Sequence, residues 1–442
     1  MSLGRTGARP ASAQRDAGLV RAVGTWALAA AIINGVVGGG IFSLPSAMAG
    51  AAGSYAPLAF VLCAFAMGAV VLCFAEASGR VASSGGAYAA AEVAFGPLVA
   101  FLTGLMLWVS AVLSCGGIAA AMADGLTAFF PGGGEAVRSW LIVGVIGGLA
   151  AINIWGVAPA ARAIGLMTVV KLLPLAILVL GGGGWLLIDG HAAASMANSP
   201  PSNFGEALIL ALFAFSGMET PLGASGEVAR PERTIPRALF IAMGSVSALY
   251  IAIQLVCQGL LGSALAASST PLSDAMMRIN PALGALLLVG ASVSRLVWIG
   301  SDILGAPRFL FAFAQDGTMP RVLGRIHRVS HAPWVAILTH SLLAIVLALT
   351  GTFETLALLA ALVTAPIYLV MCLAAWRLRA RGVALSGPVP NLPFLPVAVV
   401  IGVASMIAIF ALAKQRDMAG LMLLLGLGVI WYGAAKLVRG RP

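Results

Sequence analysis

From Ala22 to Ala75 the chain carries no charged residue. A stretch of that length holds two helical membrane spans of about 20 residues each, and "GSYAP", Gly53 to Pro57, supplies the turn between them. Lipid offers backbone N–H and C=O groups no partners, so the spans must be helices. The ten-residue alternation that a membrane barrel needs is absent. The rest of the 442 residues follows suit, with 60% hydrophobic, 9% charged and a mean hydropathy of +1.02. Such a composition excludes a soluble globular domain.

Apolar runs, Gly/Pro punctuation and charged loops place twelve spans near 25–50, 55–79, 98–128, 137–155, 163–187, 204–228, 236–262, 282–311, 332–351, 353–376, 393–413 and 418–437. "SSGGAYAAAEVAFGP", Ser83 to Pro97, is too polar to span and reads as a short helix on the membrane surface. With the amino terminus in the cytoplasm, nineteen of the 25 Lys and Arg residues fall on the cytoplasmic side. Four fall on the other side, and Lys171 and Arg295 lie within spans. That bias predicts a multi-pass protein of the cell inner membrane with both termini cytoplasmic. Residues 1–24 read as a cytoplasmic tail and not a signal peptide, and 438–442 as a cytoplasmic end. The net charge of +10 is spread over loops without interleaved aromatics, which argues against a nucleic-acid partner. The five cysteines all lie in apolar runs, the pattern of buried small residues and not of disulfides.

Against this background the glycine triplet in "GVVGGGIFSLP", Gly35 to Pro45, stands out. Each glycine weakens a helix by roughly 1 kcal/mol against alanine, and three fall at the midpoint of the first span. "FAFSGMETPLGASGE", Phe213 to Glu227, interrupts the sixth span in the same way, with Gly217 at its centre and Pro221 just beyond. Weak points five spans apart predict two five-helix repeats of opposite topology, 25–187 and 204–376. Together they form a ten-helix transport core at 25–376, with two further helices at 393–437. A broken helix leaves N–H groups unpaired on one half and carbonyls on the other. The half-helix starting near Gly39 suits a carboxylate, and carbonyls near Val36, Val37, Phe213 and Ser216 suit an ammonium. The pair describes a zwitterion site, set against the alternative of close helix packing through small residues.

Five segments in order resemble the amino acid–polyamine–organocation (APC) superfamily of transporters. They are "VVGGGIFSLP", Glu76 with "GRVASSGGAYAAAEVAFGP", "INIWGVAPAARAIGLMTVVKLLPL", "FAFSGMETPLGASGEVARPERTIPRA" and "RFLFAFAQDGTMP". Ser84 departs from the pattern where a proline is common. The resemblance implies the inverted-repeat fold, amino-acid-like substrates and alternating access. It implies a substrate carboxylate on the amides of Gly39, Gly40 and Ile41, and Phe213 as an aromatic closing over the substrate from outside. The arginine/agmatine antiporter branch has a tryptophan in place of Phe213. Its pH-sensing glutamate falls on Glu219, and one of its pocket-lining positions falls on Asp302. The expected substrate-binding set is therefore Val36, Val37, Gly38, Gly39, Gly40, Ile41, Phe213, Ser216, Gly217 and Asp302.

Ionisable groups within spans are functional candidates by default. Glu219 follows the second break and can hold a proton or a gate, or simply bond the loose amides there. Lys171 lies within span 5 and is a candidate for proton coupling, since the resemblance places it where sodium-dependent relatives bind a cation; the alternative is snorkelling to the cytoplasmic face. Asp302 and Arg295, seven apart on one helical face, can also pair with each other. Glu76 reads as an ion-pair or capping residue. His340 reads as a packing residue, as do Trp108, Trp298 and the small face of Ser110, Ser114 and Gly117. His327 and His331 have metal-like spacing but sit in an arginine-rich loop, so no metal and no cofactor is expected. No HExxH, Walker-type or Ser/His arrangement points to a membrane enzyme, and no repeated filter motif points to a channel. The expected activity is secondary transport of amino acids, small or medium and neutral, by proton coupling or exchange. A cationic amino acid or polyamine antiporter is the alternative. Expected partners are the amino acid, protons and the lipid bilayer.

Overall fold

Asn203, Asn280 and Thr352 each turn a side-chain oxygen onto the helix that follows, accepting from the N–H of Glu206 (3.1 Å), Ala282 (2.8 Å) and Thr355 (3.2 Å). Such caps satisfy donors that an apolar surrounding would leave bare. Pro231, Pro281 and Pro307 stand in first turns, where a missing N–H costs nothing. The computed structural model describes residues 21–127, 130, 132–155, 171–189, 201–385, 388–389 and 392–439.

In chain order the helices are α1 Thr25–Val36, α2 Leu44–Ala52, α3 Ala56–Val81, α4 Ala87–Phe95, α5 Pro97–Thr127, α6 Gly134–Trp155 and α7 Lys171–Ile188. They continue as α8 Phe204–Phe215, α9 Pro231–Leu261, α10 Pro271–Met277, α11 Pro281–Gly305, α12 Pro307–Gln315, α13 Trp334–Thr350, α14 Phe353–Ala380, α15 Leu395–Leu412 and α16 Gln415–Arg439. Among the described residues there is no strand, only one parallel bridge between Val23 and Val228.

Nine stretches among the described residues are long and apolar enough to cross a membrane, and the apolar helices α1, α8 and α13 are shorter. Spans interrupted near their midpoints were expected at 25–50 and 204–228. The backbone leaves the helix after Val36 and again after Phe215, so length alone does not count either run. Residues 163–170 of the expected span 5, the loop around Gly156 and Arg162, and tail residues 1–20 lie outside the described residues. The expected short helix exists as α4, and one of its faces packs inside the protein. Ala87, Ala89, Ala90, Ala91 and Ala94 are buried, and α4 packs on α3, α5 and α14. Its alanines are what let it pack so closely.

α14 packs against α3, α5, α8 and α15, while α9 lies against α1 and α3. A second, smaller apolar cluster joins α5, α6, α11 and α13 through Val112, Ile142, Ile299 and Ala344. α5 is common to both clusters.

Candidate functional site

The first break begins at Val37 (φ −73°, ψ 73°), passes through an extended Gly38 and a short 3-10 turn at Gly39–Phe42, and ends where α2 starts. The second passes through an extended Ser216 and Gly217 at φ +112° to a helical turn at Pro221–Glu227. The two breaks touch. A Cβ on Gly35 would meet the Gly217 carbonyl oxygen at 2.8 Å, and a Cβ on Gly217 would meet the Gly35 carbonyl oxygen at 2.8 Å. Only residues without side chains allow two backbones this close, and only glycine adopts the Gly217 conformation readily.

The N–H groups of Gly39, Gly40 and Ile41 open the 3-10 turn, where first-turn donors lack helical partners. Three of the four carbonyls expected to receive an ammonium already have protein donors. Val36 O accepts from Tyr250 Oη at 2.9 Å and from the Gly38 N–H at 2.7 Å. Phe213 O accepts from the Ser216 N–H at 3.2 Å and from its Oγ at 2.7 Å. Val37 O accepts from Lys171 Nζ at 2.7 Å, and the same amine donates to Asn34 O at 2.6 Å. Lys171 is 3% exposed. It points inward onto the last carbonyls of α1, where the helix dipole favours a cation, so it does not snorkel.

Glu219 takes the amide-bonding role. Both its oxygens accept from the Gly217 N–H at 3.1 Å, and Oε2 also accepts from Tyr368 Oη at 3.0 Å. The Phe213 ring lies over Gly40, whose Cβ would meet it at 2.8 Å, and stacks edge-to-face on Phe353 with centroids 6.0 Å apart.

Asp302 and Arg295 do not pair. Asp302 Oδ2 meets His340 Nε2 at 3.0 Å. Arg295, fully buried, turns instead to the first break: Nε donates to Gly39 O (3.4 Å), one terminal nitrogen to Ala121 O (3.3 Å) and the other to Ser43 Oγ (2.7 Å). Glu76 forms the expected ion pair, 2.8 Å from Arg80 and buried with it. His327 accepts from the Ser330 N–H within its loop.

A cavity of about 480 Å³ opens beside the breaks, within the range of small-molecule sites. Of the expected site residues, Val36, Gly38, Gly40, Ile41, Phe213, Ser216, Gly217, Glu219 and Asp302 line it. Val37 and Gly39, within the first break, and Lys171 do not line it. Ser110, Ser114 and Trp298, read from sequence as packing residues, line the cavity too. Ser110 does both, bonding Thr364 Oγ1 at 2.7 Å on α14. Sequence reasoning missed Tyr250 and Arg308. A tyrosine inside an apolar helix needs a partner for its hydroxyl, and that signal was available for Tyr250.

Apolar helices that enclose a solute-sized cavity between two touching breaks define a multi-pass membrane protein of the solute-carrying class. The sequence matches the amino acid permease family over residues 23–431, and the chain belongs to that family, within the APC superfamily. It is a transporter with an amino-acid-type small-molecule substrate, and not an enzyme. It is 30% identical to an uncharacterized transporter of Mycobacterium tuberculosis over 73% of each chain. It is 28% identical to a serine/threonine exchanger of Bacillus subtilis over 95% of this chain and 98% of that one. It is 25% identical to a methylthioribose transporter of the same organism over 86% of each.

Proposed function

We propose that the protein is a secondary active transporter of small or medium neutral amino acids, working by alternating access in the cell inner membrane. The contact of the two breaks at the cavity carries this reading. It brings first-turn amides suited to a carboxylate within one cavity of the polar groups around Ser216, as a zwitterion requires. In this reading twelve helices span the membrane. Residues 25–187 and 204–376 are inverted repeats, 393–437 an added pair, and both termini are cytoplasmic. With that orientation Phe213, Gly40 and Phe353 close the outer side, while Arg308, Phe309 and Ala312 line the cytoplasmic end, an inward-facing state. The name of the serine/threonine exchanger supports a small substrate. Lys171, on the break carbonyls, supports proton coupling in place of sodium, with exchange as the other mode.

One observation favours a second reading. Asp302 lines the cavity, and a carboxylate there suits a cationic amino acid or polyamine exchanged by antiport. A thermal-stabilisation screen of the twenty amino acids and common polyamines separates the two, since a ligand that binds only the folded state raises Tm. The best ligand is then tested for saturable counterflow in liposomes. A neutral amino acid is expected to stabilise, with its decarboxylated amine at least tenfold weaker. Equal binding of amine and parent would refute the carboxylate site, and a polyamine as best ligand would favour the second reading.

A further inference from the structure

Cys115 from α5, Asp302 from α11 and His340 from α13 converge behind one wall of the cavity, one donor atom from each lying within 4.8 Å of the others. Cys115 and His340 are fully buried, and Asp302 faces the cavity. His340 Nε2 meets Asp302, while its Nδ1 is buried and has no hydrogen-bond partner among the described residues. We propose that these three residues form a binding site for a zinc-class divalent cation that opens onto the transport cavity.

The donor set is the first argument. Thiolate and imidazole select against magnesium and calcium and suit zinc-like ions, which also accept a carboxylate oxygen. Three protein ligands with one open position are the pattern of an accessible zinc site, and here Asp302 is the ligand that lines the cavity. Geometry is the second. Zinc–ligand bonds of about 2.0–2.3 Å put tetrahedral donors about 3.3–3.7 Å apart. The Asp302–His340 pair already stands at 3.0 Å, and the widest separation closes with side-chain rotations of about an ångström. Among the described residues the ring is held by one hydrogen bond, which it can exchange for a metal.

Charge is the third argument. Binding converts the Cys115 thiol to a metal-bound thiolate and releases its proton to the cavity. Thiolate and carboxylate then neutralise a divalent cation, so the occupied site carries no net charge inside the membrane, where an uncompensated one would be costly. An ion held there borders the substrate's path and obstructs it.

Purified full-length protein, stripped with a chelator, is titrated with Cd²⁺ as the probe. One equivalent is expected to raise the ultraviolet thiolate-to-cadmium absorption band. The band should vanish in Cys115→Ser, and affinity should fall at least tenfold in His340→Gln. In liposomes Zn²⁺ should inhibit wild-type uptake, with at least a tenfold higher concentration needed in Cys115→Ser, whose uptake in metal-free buffer is unchanged. The wild-type titration stands even where a variant fails to fold. Absence of the band in wild type at millimolar Cd²⁺, or its persistence in Cys115→Ser, overturns the proposal. Uptake of the wrong substrate class would count against the proposed function alone.

Discussion

Replacing Gly217 by alanine tests whether the contact between the breaks is needed for transport. Two costs add. At φ +112° an L-residue is strained by about 1–3 kcal/mol. The new Cβ would also lie 2.8 Å from Gly35 O and 3.0 Å from Gly35 C, against the 3.4 Å at which ordinary contact begins. Both neighbours are backbone, so the end of α1 must retreat; overpacking of that kind costs about 1–3 kcal/mol. The sum of about 2–6 kcal/mol lowers the population of apposed breaks by at least about 25-fold. Gly223 is the control. It lies in the same segment, at ordinary φ, and its Cβ would meet nothing within 4 Å. Counterflow of the best-binding ligand in liposomes, with Tm measured on the same preparations, is the assay. Gly217→Ala is expected to lose nearly all counterflow, and Gly223→Ala to keep it. Wild-type counterflow in Gly217→Ala would refute the argument, because the two breaks would not need to touch.

Phe213→Ala is expected to raise KM about tenfold, the upper range for a lost edge-to-face pair; initial-rate uptake checks it, and an unchanged KM would move the lid elsewhere. Uptake is expected to be sodium-independent and acid-stimulated, and Lys171→Met to flatten its pH profile, measured with sodium replaced by choline. A requirement for sodium, or an unaltered profile in the variant, would remove Lys171 from coupling. Gly39→Leu and Gly40→Leu should fail differently. A side chain at Gly39 meets Arg295 Cγ and Ile118 Cγ2 at 2.7 Å and the Arg295 Cα at 3.2 Å, whereas one at Gly40 presses on the edge of the Phe213 ring. The first is expected to lose folded protein on size-exclusion chromatography, the second to fold and fail in uptake.

Both breaks were legible because glycine and proline at mid-span have few other uses, and Gly38 to Gly40 and Gly217 with Pro221 stand where the helices stop. Lys171 and Glu219 were singled out because charge inside an apolar run is conspicuous; the bond from Glu219 to the loose amides stood among its expected roles, whereas the carbonyls that Lys171 meets were not readable. The Asp302–Arg295 pairing failed for a physical reason. Spacing of seven fixes the helical face, but a long guanidinium stem chooses among acceptors on other helices, here Gly39, Ala121 and Ser43. Ser110 and Ser114 were read as packing because a small face serves both packing and lining, and only tertiary structure shows the cavity on one side. The meeting of Cys115, Asp302 and His340 depends on three helices distant in sequence, and no local pattern encodes it.

Arg295 has a consequence for timing. One side chain fastens the first break to α5 and α11 through three hydrogen bonds, two to carbonyls and one to a hydroxyl. Among the described residues no carboxylate stands within ion-pair distance to take over. Any movement that parts these three elements must release the bonds together, at about 1.5–3 kcal/mol each for a charged donor. A movement that carries them as one body releases none. The guanidinium thus works as a clock spring: it lengthens the dwell before the break leaves its neighbours, and a shorter, weaker donor such as lysine at 295 would make the cycle tick faster and hold its closed state less well.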